Sequence, residues 1–388
     1  MSKGYAYVLL LMMVPFLAFG AGFGSKSLVH VQTASTLKPQ RLDFGGDMNF
    51  FTKVGDVLGG QRPENFTLTN YWDVQGNMYL SYGITRHVDA SVQLRVYQDV
   101  HQDGSIFVKQ EEYNLPDDLF LNLKIGNFGL SGDRVQLGTM FALRAPTGSV
   151  HNYPFEPYTA GGFEFGFFGL FSYYNDPFIN ERDFSFHVNV GWYYYNDSGK
   201  TLYDVSSLAS PIKSQVNSSS LQYGVGFTYP TEKFDLNLEL FGLAFTSQPD
   251  PFAHSRENFM YVTPSLRYKP SWRYSFDLGM DIRVSSDEDE SDPAVSFSGK
   301  ALDLPNYFSW RMRLGFNLTL TSGTDKFGSV NDRGDVKERV DFYDRLLRER
   351  EKTRSIEEEL RRLRREREQA EKELEELRQL LEEEGGGN

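Results

Sequence analysis

Residues Tyr307–Leu320 read YFSWRMRLGFNLTL, and this stretch decides the fold class. Every even-numbered residue from Phe308 to Leu320 is apolar. Successive side chains of a β-strand point to opposite faces, so this strand has one apolar face and one polar face. An alternation of this length predicts a barrel wall with lipid outside and water inside. The residues of the inward face are polar or small: Ser309, Arg311, Arg313, Gly315, Asn317 and Thr319.

The composition fits such a transmembrane β-barrel and argues against other classes. Aromatic residues make up 15% of the 388 residues but apolar residues only 40%, as expected when lipid-facing side chains alternate with polar interior ones. No internal run reaches the ~18 apolar residues of a membrane helix. The net charge of −13 argues against nucleic-acid binding. Cysteine is absent, which excludes a disulfide framework and a cysteine nucleophile.

The first 20 residues predict a signal peptide. Lys3 supplies the positive start, residues 7–19 the apolar stretch, and residues 18–20 the small side chains for cleavage. A short N-terminal membrane anchor is the alternative, but the apolar stretch is too short to span a bilayer. Residues 21–40 are predicted to be a periplasmic lead-in to the barrel.

Twelve segments of alternating polarity follow, each near the ~9–11 residues with which a tilted strand crosses a bilayer. Their connections alternate between short and long, as do the periplasmic turns and extracellular loops of outer-membrane barrels. The sequence therefore predicts an all-β transmembrane barrel of about 12 antiparallel strands over residues 41–320, with both barrel ends in the periplasm. A soluble β-sandwich is the alternative, but it gives no reason for this alternation. The predicted strands are 41–52, 71–84, 88–99, 118–125, 134–144, 163–174, 184–194, 219–229, 234–244, 258–268, 274–284 and 307–320.

The polar faces of these strands carry charges of both signs. Such charges can pair across a narrow barrel or line a hydrated path, and the sequence leaves both an open and a blocked lumen possible. His187 is also predicted to point inward, whereas a membrane lipase needs its catalytic group at the outer wall, so we expect no enzyme, no catalytic or metal-binding residue and no cofactor. The predicted lumen-lining residues are Asp43, Asp47, Asp73, Arg95, Lys124, Arg134, Arg144, Glu164, Glu239, Arg267, Asp281, Arg283, Arg311 and Arg313.

The tail after the predicted linker 321–334 is rich in Glu, Arg, Lys and Leu. Residues 335–384 carry an a/d heptad pattern with interruptions, which predicts a C-terminal α-helical coiled coil in the periplasm. A solitary charged helix held by i,i+4 ion pairs is the alternative. A second copy of the chain or a periplasmic partner would bind this segment. One heptad track holds Leu346, Thr353, Leu360, Arg367, Leu374 and Leu381, and the other Phe342, Glu349, Ile356, Leu363, Ala370 and Leu377.

The last strand also resembles the terminal-strand signal of bacterial outer-membrane barrels. Arg313, Gly315, Leu318 and Leu320 stand at the matching positions of RLGFNLTL. This resemblance implies that the barrel-assembly machinery reads the segment and that the chain resides in the outer membrane of a Gram-negative-type bacterium, in contact with its lipid.

Several short motifs between residues 41 and 320 resemble the outer-membrane barrel family annotated with the meta pathway of phenol degradation, a transporter-like group. The resemblance implies an outer-membrane barrel that passes small solutes, hydrophobic ones among the candidates. Asp117 stands where the family pattern has glycine, and the tail lies outside the resemblance. The motifs are Asp118-Leu119-x-Leu121-x-x-Lys124, Pro146-Thr147-Gly148, Gly161-Gly162-Phe163, YGVGFTYP (223–230), Leu238–Gly242 and Thr263–Tyr268.

Two functions are therefore expected from the sequence. The first is a porin-like passive channel or transporter for small solutes that carries a periplasmic coiled-coil tail. The second is a structural anchor whose barrel only holds the tail, which tethers an envelope partner. Deletion of residues 335–388 discriminates them, since a channel keeps its conductance without the tail.

Overall fold

The computed structural model describes most of the predicted barrel and part of the tail. The predicted signal peptide, most of the predicted linker and most of the predicted coiled coil lie outside the described residues. The chain divides into two compact units, Met1–Phe327 and Gly328–Asn388. The described residues are 27–55, 69–102, 118–131, 133–148, 151–152, 157–175, 183–203, 211–231, 233–271, 273–286, 288, 290, 307–323, 359–372 and 374.

Fourteen strands form in the described part of the first unit, and twelve of them close into one antiparallel barrel. The short β8 and β9 pair with each other in a separate sheet. The predicted antiparallel barrel is thus confirmed, while the described residues of the tail do not show a coiled coil. The strands are β1 Arg41–Gly55, β2 Thr69–Thr85, β3 Val88–Gln102, β4 Leu119–Leu130, β5 Val135–Ala145, β6 Glu164–Tyr174, β7 Ser185–Tyr194, β8 Thr201–Tyr203, β9 Ile212–Lys213, β10 Ser219–Pro230, β11 Phe234–Ser247, β12 Phe259–Ser271, β13 Tyr274–Arg283 and β14 Trp310–Ser322.

Neighbouring strands in the barrel are successive barrel strands of the chain, and the first closes on the last. β1 pairs with β14 from Arg41↔Ser322 to Phe50↔Met312, with an irregularity between Leu42 and Asp43. The end at which β1 begins and β14 ends also carries the short connections, and we call it the turn end. The opposite end carries the long connections, and we call it the loop end.

The strands of the barrel carry an apolar belt outside and many buried polar and charged side chains inside. On β14 the outward Met312 and Leu314 are 43% and 46% exposed, while the inward Arg311 and Arg313 are 9% and 7% exposed. Apolar side chains are exposed in the same way around the wall, as expected of a surface that meets lipid. Members of this outer belt include Met48, Phe50, Met78, Leu80, Val92, Leu94, Phe141, Phe165, Phe167, Val190, Trp192, Leu221, Leu238, Leu278, Met280 and Leu314.

The sequence predicts that the alternation of the last strand begins at Phe308, which is two residues before the observed strand. Phe308 was expected on the outward face, but it is 3% exposed and packs in an interior aromatic cluster. The physical reason is that β14 begins at Trp310, so Phe308 belongs to the preceding loop and is free to turn inward.

We expect Leu314→Arg to destabilise the barrel strongly. Leu314 pairs with Met48 and with Leu278, both also in the outer belt, so the change places a cation in the middle of the lipid face. Such a change costs about 2–4 kcal/mol at the bilayer midplane and about 0–1 kcal/mol near an interface. Urea unfolding of the protein refolded into liposomes measures the difference. Leu130→Arg, at the turn end, is the matched control, and equal losses at the two sites would contradict the lipid-facing assignment.

The second unit contains a helix over the described residues 359–372. Ion pairs one turn apart join Arg362 to Glu366 at 3.1 Å and Arg367 to Glu371 at 2.8 Å. Leu360 and Leu363 are 49% and 54% exposed. Within the described helical residues, no helix is long and apolar enough to cross a membrane.

Candidate functional site in the barrel interior

An aromatic cluster lies in the interior near the loop end. The wall supplies inward side chains close to where its strands reach this end, among them Phe51, Tyr193 and Tyr261. The described loop residues supply the rest of the cluster, including Tyr158 and Tyr307. The sequence prediction of a largely polar interior missed this cluster, whose further members are Ala160, Tyr195, Leu202, Leu243, Ala253, Phe259 and Phe308.

Hydrogen bonds tie the described loop residues together over this cluster. The Tyr307 hydroxyl donates to the carbonyl oxygens of Ser255 and Glu257, at 2.5 and 3.0 Å. The Tyr158 hydroxyl donates to Asp197 at 2.6 Å. Burial, and then the Asp197 carboxylate, raise the pKa of Tyr158 above its usual range, so the phenol remains a neutral donor.

The opposite half of the interior holds a segment that precedes β1. We call residues 27–37 the luminal segment, and all eleven are buried. Ser27 bridges to Gln32, and Leu28 N donates to the carbonyl of Val31 at 2.9 Å, which closes a tight turn over residues 28–31. We call this the luminal turn. The predicted periplasmic lead-in is therefore corrected for these residues, because they lie inside the barrel.

Glu239 on β11 holds the luminal turn through three backbone groups. Its side-chain oxygens accept the N–H groups of Val29, His30 and Val31 at 2.9, 2.7 and 2.8 Å. The carboxylate is fully buried. Buried backbone N–H groups need acceptors, and charged acceptors give the stronger bonds, so Glu239 is the main anchor of the turn.

The His30 ring extends the same attachment to β13 and β14. It stacks on Phe241, with ring centroids 3.7 Å apart and planes 18° apart. Its Nε2 lies 2.7 Å from Asp281 Oδ1 and 3.0 Å from Arg313 Nη1. Asp281 also accepts two bonds from Arg311, at 2.9 and 2.7 Å, and one from Thr263, at 2.7 Å.

The rest of the luminal segment is attached to the inner surface of the wall by hydrogen bonds to polar inward side chains. Gln32 N donates to Asn189 at 2.6 Å, and Asn189 Nδ2 donates back to the Gln32 carbonyl at 2.7 Å. Ala34 N donates to Ser172 Oγ at 2.8 Å, and Leu37 N to Asp89 at 2.8 Å. These contacts are side chain to backbone, so they depend little on the sequence of the segment itself.

Two wall glycines allow the segment to approach the barrel closely. A Cβ at Gly126 would lie 2.1 Å from the carbonyl oxygen of Ala34, and one at Gly83 would lie 3.1 Å from that of Leu37 and 2.0 Å from that of Lys38, the residue that follows the segment. Real Cβ atoms do not come this close to backbone oxygens, so a side chain at either position would displace the segment.

A second charged network lies beside the aromatic cluster. Arg144 binds Asp118 through Nε and lies 3.9 Å from Glu164 through Nη1. Glu164 also accepts bonds from Thr159 and, at 2.5 Å, from the Tyr193 hydroxyl. This network joins β5 and β6 to Asp118, which precedes β4, and to Thr159 in the loop before β6.

Most predicted lumen-lining residues face the interior. There Asp47, Asp281, Arg311 and Arg313 interact with one another, Arg144 lies beside Glu164, and Glu239 binds the luminal segment, whereas Asp43 pairs with Arg41 and Lys124 with Asp89. Arg95, Arg267 and Arg283 are half-buried. Arg134 is the exception to the prediction, because it lies in the turn before β5 and is exposed. The buried members are Asp43, Asp47, Asp73, Lys124, Arg144, Glu164, Glu239, Asp281, Arg311 and Arg313.

His187 also serves the attachment of the segment. It is buried, and its ring nitrogens lie 2.8 Å from Ser172 Oγ and 3.1 Å from Ser185 Oγ. Since Ser172 accepts the N–H of Ala34, the imidazole positions a docking residue.

We expect acidification to loosen the luminal turn. Burial, the largest cause, and the guanidinium groups of Arg313 and Arg311 lower the pKa of His30 from 6.5 to about 4, although Asp281 acts in the opposite direction. A released His30 therefore takes up a proton at a higher pH than the docked one. The contribution of His30 to docking is at full strength above pH 6.5 and weakens as the pH falls toward 4, by about 3 kcal/mol in all.

Hydrogen exchange of the amides of residues 28–31 at pH 7.5 and pH 4.5, corrected for intrinsic rates, measures this effect. His30→Gln is the control, because Glu239 and Asp281 also face the turn and can take up protons. A wild-type protein whose exchange depends on pH no more than that of the variant would contradict the assignment to His30.

Comparisons with known proteins show structural similarity but assign the chain to no family. No family model matches the chain. No curated protein sequence matches it either. The fold is similar to an outer membrane channel from Pseudomonas putida F1, with 13% identity, 74% of this chain and 98% of that chain covered, and a TM-score of 0.49. It is also similar to the NanC porin, with 11% identity, 72% and 100% covered, and a TM-score of 0.42.

A third similar structure is the CymD monoaromatic hydrocarbon channel, with 8% identity, 74% of this chain and 89% of that chain covered, and a TM-score of 0.35. Because these TM-scores are below 0.5, the assignment of a closed barrel depends on the strand pairing observed in this chain and not on the similar structures. The resemblance to the phenol-degradation family stays a prediction.

Proposed function

We propose that this protein is an outer-membrane β-barrel that acts as a passive, non-enzymatic channel for small solutes, and that the luminal segment is its closing element. The observation that carries the proposal is how the lumen is filled. A barrel of eight strands is filled by its own side chains, and a barrel of twelve is wider. Here eleven residues that belong to no strand occupy part of the interior through side chain to backbone hydrogen bonds. The luminal segment can therefore leave the lumen without breaking the hydrogen bonds between the strands of the barrel.

The placement in the outer membrane is supported by the outer belt and by the connections. An exposed apolar belt on a closed barrel fits lipid, and short turns at one end with long loops at the other fit a periplasmic and an extracellular side. In this orientation the turn end, and with it the attachment of the luminal segment to β1, lies toward the periplasm.

The interior supports small solutes, with hydrophobic molecules among the candidates. The aromatic cluster gives apolar surface near the loop end, while charges of both signs lie deeper, and mixed charges give weak ion selectivity. A solute entering from the loop end meets aromatic side chains before it meets the luminal turn.

Conductance of the refolded protein in a planar bilayer tests the channel. We expect small or rare current steps from the wild-type barrel and a several-fold larger conductance from a variant that lacks residues 27–37. Truncation after Gly323 serves as the control and should leave the conductance unchanged. Gly126→Val, which pushes the segment from the wall while keeping its length, is the second variant. Variants that fold, as judged by heat-modifiable migration, and remain silent would overturn the proposal.

A tethering role of the tail is the second candidate, favoured by exposed leucines among the described tail residues 359–372 and 374. Leu360 and Leu374 lie on one heptad track and Leu363 on the other, and all three are exposed. We propose that a second copy of this helix, in a coiled coil, or a periplasmic partner covers them. Sedimentation of the full-length protein in detergent, compared with Leu360→Glu/Leu363→Glu, tests for self-association. If both proteins are monomers, self-association is excluded and only a periplasmic partner can cover the leucines. If deletion of the tail has no phenotype, the tethering role is wrong.

A further inference from the structure

We propose that the His30 ring occupies a binding site for a planar aromatic ring with a hydrogen-bond donor, and that a solute of this class competes with His30 for it. The inference deepens the channel function proposed above and rests on it. It names a class of solute and a way in which that solute loosens the luminal turn.

The site has a flat wall and a polar end. The Phe241 ring forms the wall, stacked on His30 at 3.7 Å. Asp281 forms the polar end, 2.7 Å from Nε2 of the imidazole. Arg313 lies at the edge of the ring, 3.0 Å from the same nitrogen. A small aromatic ring is thus held by its face and by one donor at its edge.

The site is continuous with the aromatic cluster. Phe241 stacks on Tyr261, with centroids 5.5 Å apart and planes 17° apart, on the loop-end side of His30. Phe259 contacts both Phe241 and Tyr307. A ring that moves along these side chains from the loop end reaches Phe241 as the last aromatic surface before the luminal turn.

The chemistry of the site selects a neutral ring with an N–H or O–H group. Asp281 is buried and is held as an acceptor by the two bonds from Arg311, so its partner must donate. A flat face is needed because the stacking energy comes from the ring surface. Carboxylate solutes are disfavoured, because Asp281 and Glu239 both carry negative charge beside the site. Phenols and azoles fit these requirements, whereas cyclohexanol has the donor without the aromatic face.

Competition for this site weakens the docking of the turn. The turn is tethered to the barrel, so His30 has a high effective concentration and a free ring binds the wild-type site weakly. Removal of the imidazole vacates the site, while Glu239 still holds the backbone of residues 29–31. A free ring should therefore bind a His30→Gly variant better than the wild type.

Binding of imidazole and phenol to the refolded full-length barrel tests the inference, with imidazole first because it does not partition into detergent. At pH 8 we expect His30→Gly to bind imidazole about tenfold or more tightly than wild type, because one stacking contact and one charged hydrogen bond are vacated. His30→Ala is the second variant in case the glycine disturbs the turn. Phe241→Leu in the His30→Gly background should abolish the gain.

The contrary outcomes are equally definite. The inference is overturned if His30→Gly and His30→Ala fold but bind imidazole no better than the wild type, or if cyclohexanol binds as well as phenol. Equilibrium dialysis needs no current through the barrel. If the barrel binds the ring compounds but carries no current, the channel function is wrong. If it conducts but does not bind them, only the proposed ring-binding site is wrong.

Discussion

Replacing Glu239 by alanine should release the luminal turn from the barrel wall. Three backbone N–H groups lose a buried charged acceptor at once. Hydrogen bonds to charged groups contribute about 1.5–3 kcal/mol each, so the docked turn loses several kcal/mol even if the bonds are not additive. We expect amide exchange at residues 29–31 to accelerate by about a hundredfold or more, which corresponds to at least ~2.7 kcal/mol. Channel conductance should rise with it.

Two matched variants make this result specific. Glu239→Gln keeps one acceptor oxygen and should have a smaller effect than alanine. Asp235→Asn changes a carboxylate on the same strand that binds Lys269 instead of the segment, and it should leave the turn docked. Exchange that rises equally in Asp235→Asn and Glu239→Ala would mean that β11 as a whole has loosened, and the anchoring role of Glu239 would be wrong.

Asp281→Asn should cause the largest loss of barrel stability. The carboxylate accepts two bonds from Arg311 and one from Thr263, and it also faces His30 and Arg313. Removing one partner of a buried ion pair leaves the other charge uncompensated, at a cost of about 3–5 kcal/mol. Urea unfolding in liposomes, followed by tryptophan fluorescence, gives the free energy of unfolding for comparison with the wild type.

Asp235→Asn is again the control, because it breaks a partly exposed ion pair with Lys269. Exposed pairs contribute about 0–1 kcal/mol, so the two substitutions should differ clearly. A double variant, Asp281→Asn/Arg311→Met, should recover part of the loss, since it removes the uncompensated cation. If Asp281→Asn is no worse than the control, the interior network does not carry the stability assigned to it.

The strands of this barrel are predictable from sequence because their signal is local and repeated. In β14, lipid selects apolar residues at Met312 and Leu314 while the interior selects Arg311 and Arg313, and the period of two follows. Strand ends are less predictable, as Phe308 shows, because an inward loop residue can continue the same alternation by chance. Arg134 illustrates the same limit at a turn.

The luminal segment was not predictable, because many of its hydrogen bonds to the wall use its backbone, and a single His30 in the sequence does not reveal which groups its ring meets. Its backbone supplies the donors, and the wall supplies the acceptors through Glu239, Asn189 and Ser172. The available signal was on the wall. Gly83 and Gly126 stand where another segment of the same chain approaches the wall closely, and a buried inward carboxylate such as Glu239 needs a hydrogen-bond partner. Neither signal says which segment fills the space.

The aromatic cluster escaped prediction for a related reason. Tyr193 and Tyr261 stand at inward positions of their strands, but an isolated aromatic at an inward position does not reveal that several strands converge on one layer. The cluster also needs loop residues such as Tyr158, whose place depends on the closed barrel.

The position of the luminal segment fixes an order of events during folding. It precedes β1 in the chain, yet its partners lie far along it, 157 residues away at Asn189 and 251 residues away at Asp281. These acceptors lie on β7 and β13, so we expect docking to be a late step that follows the pairing of the strands from β7 to β13. Substitutions that weaken docking should therefore accelerate unfolding while leaving the folding rate almost unchanged, as for contacts absent from the transition state.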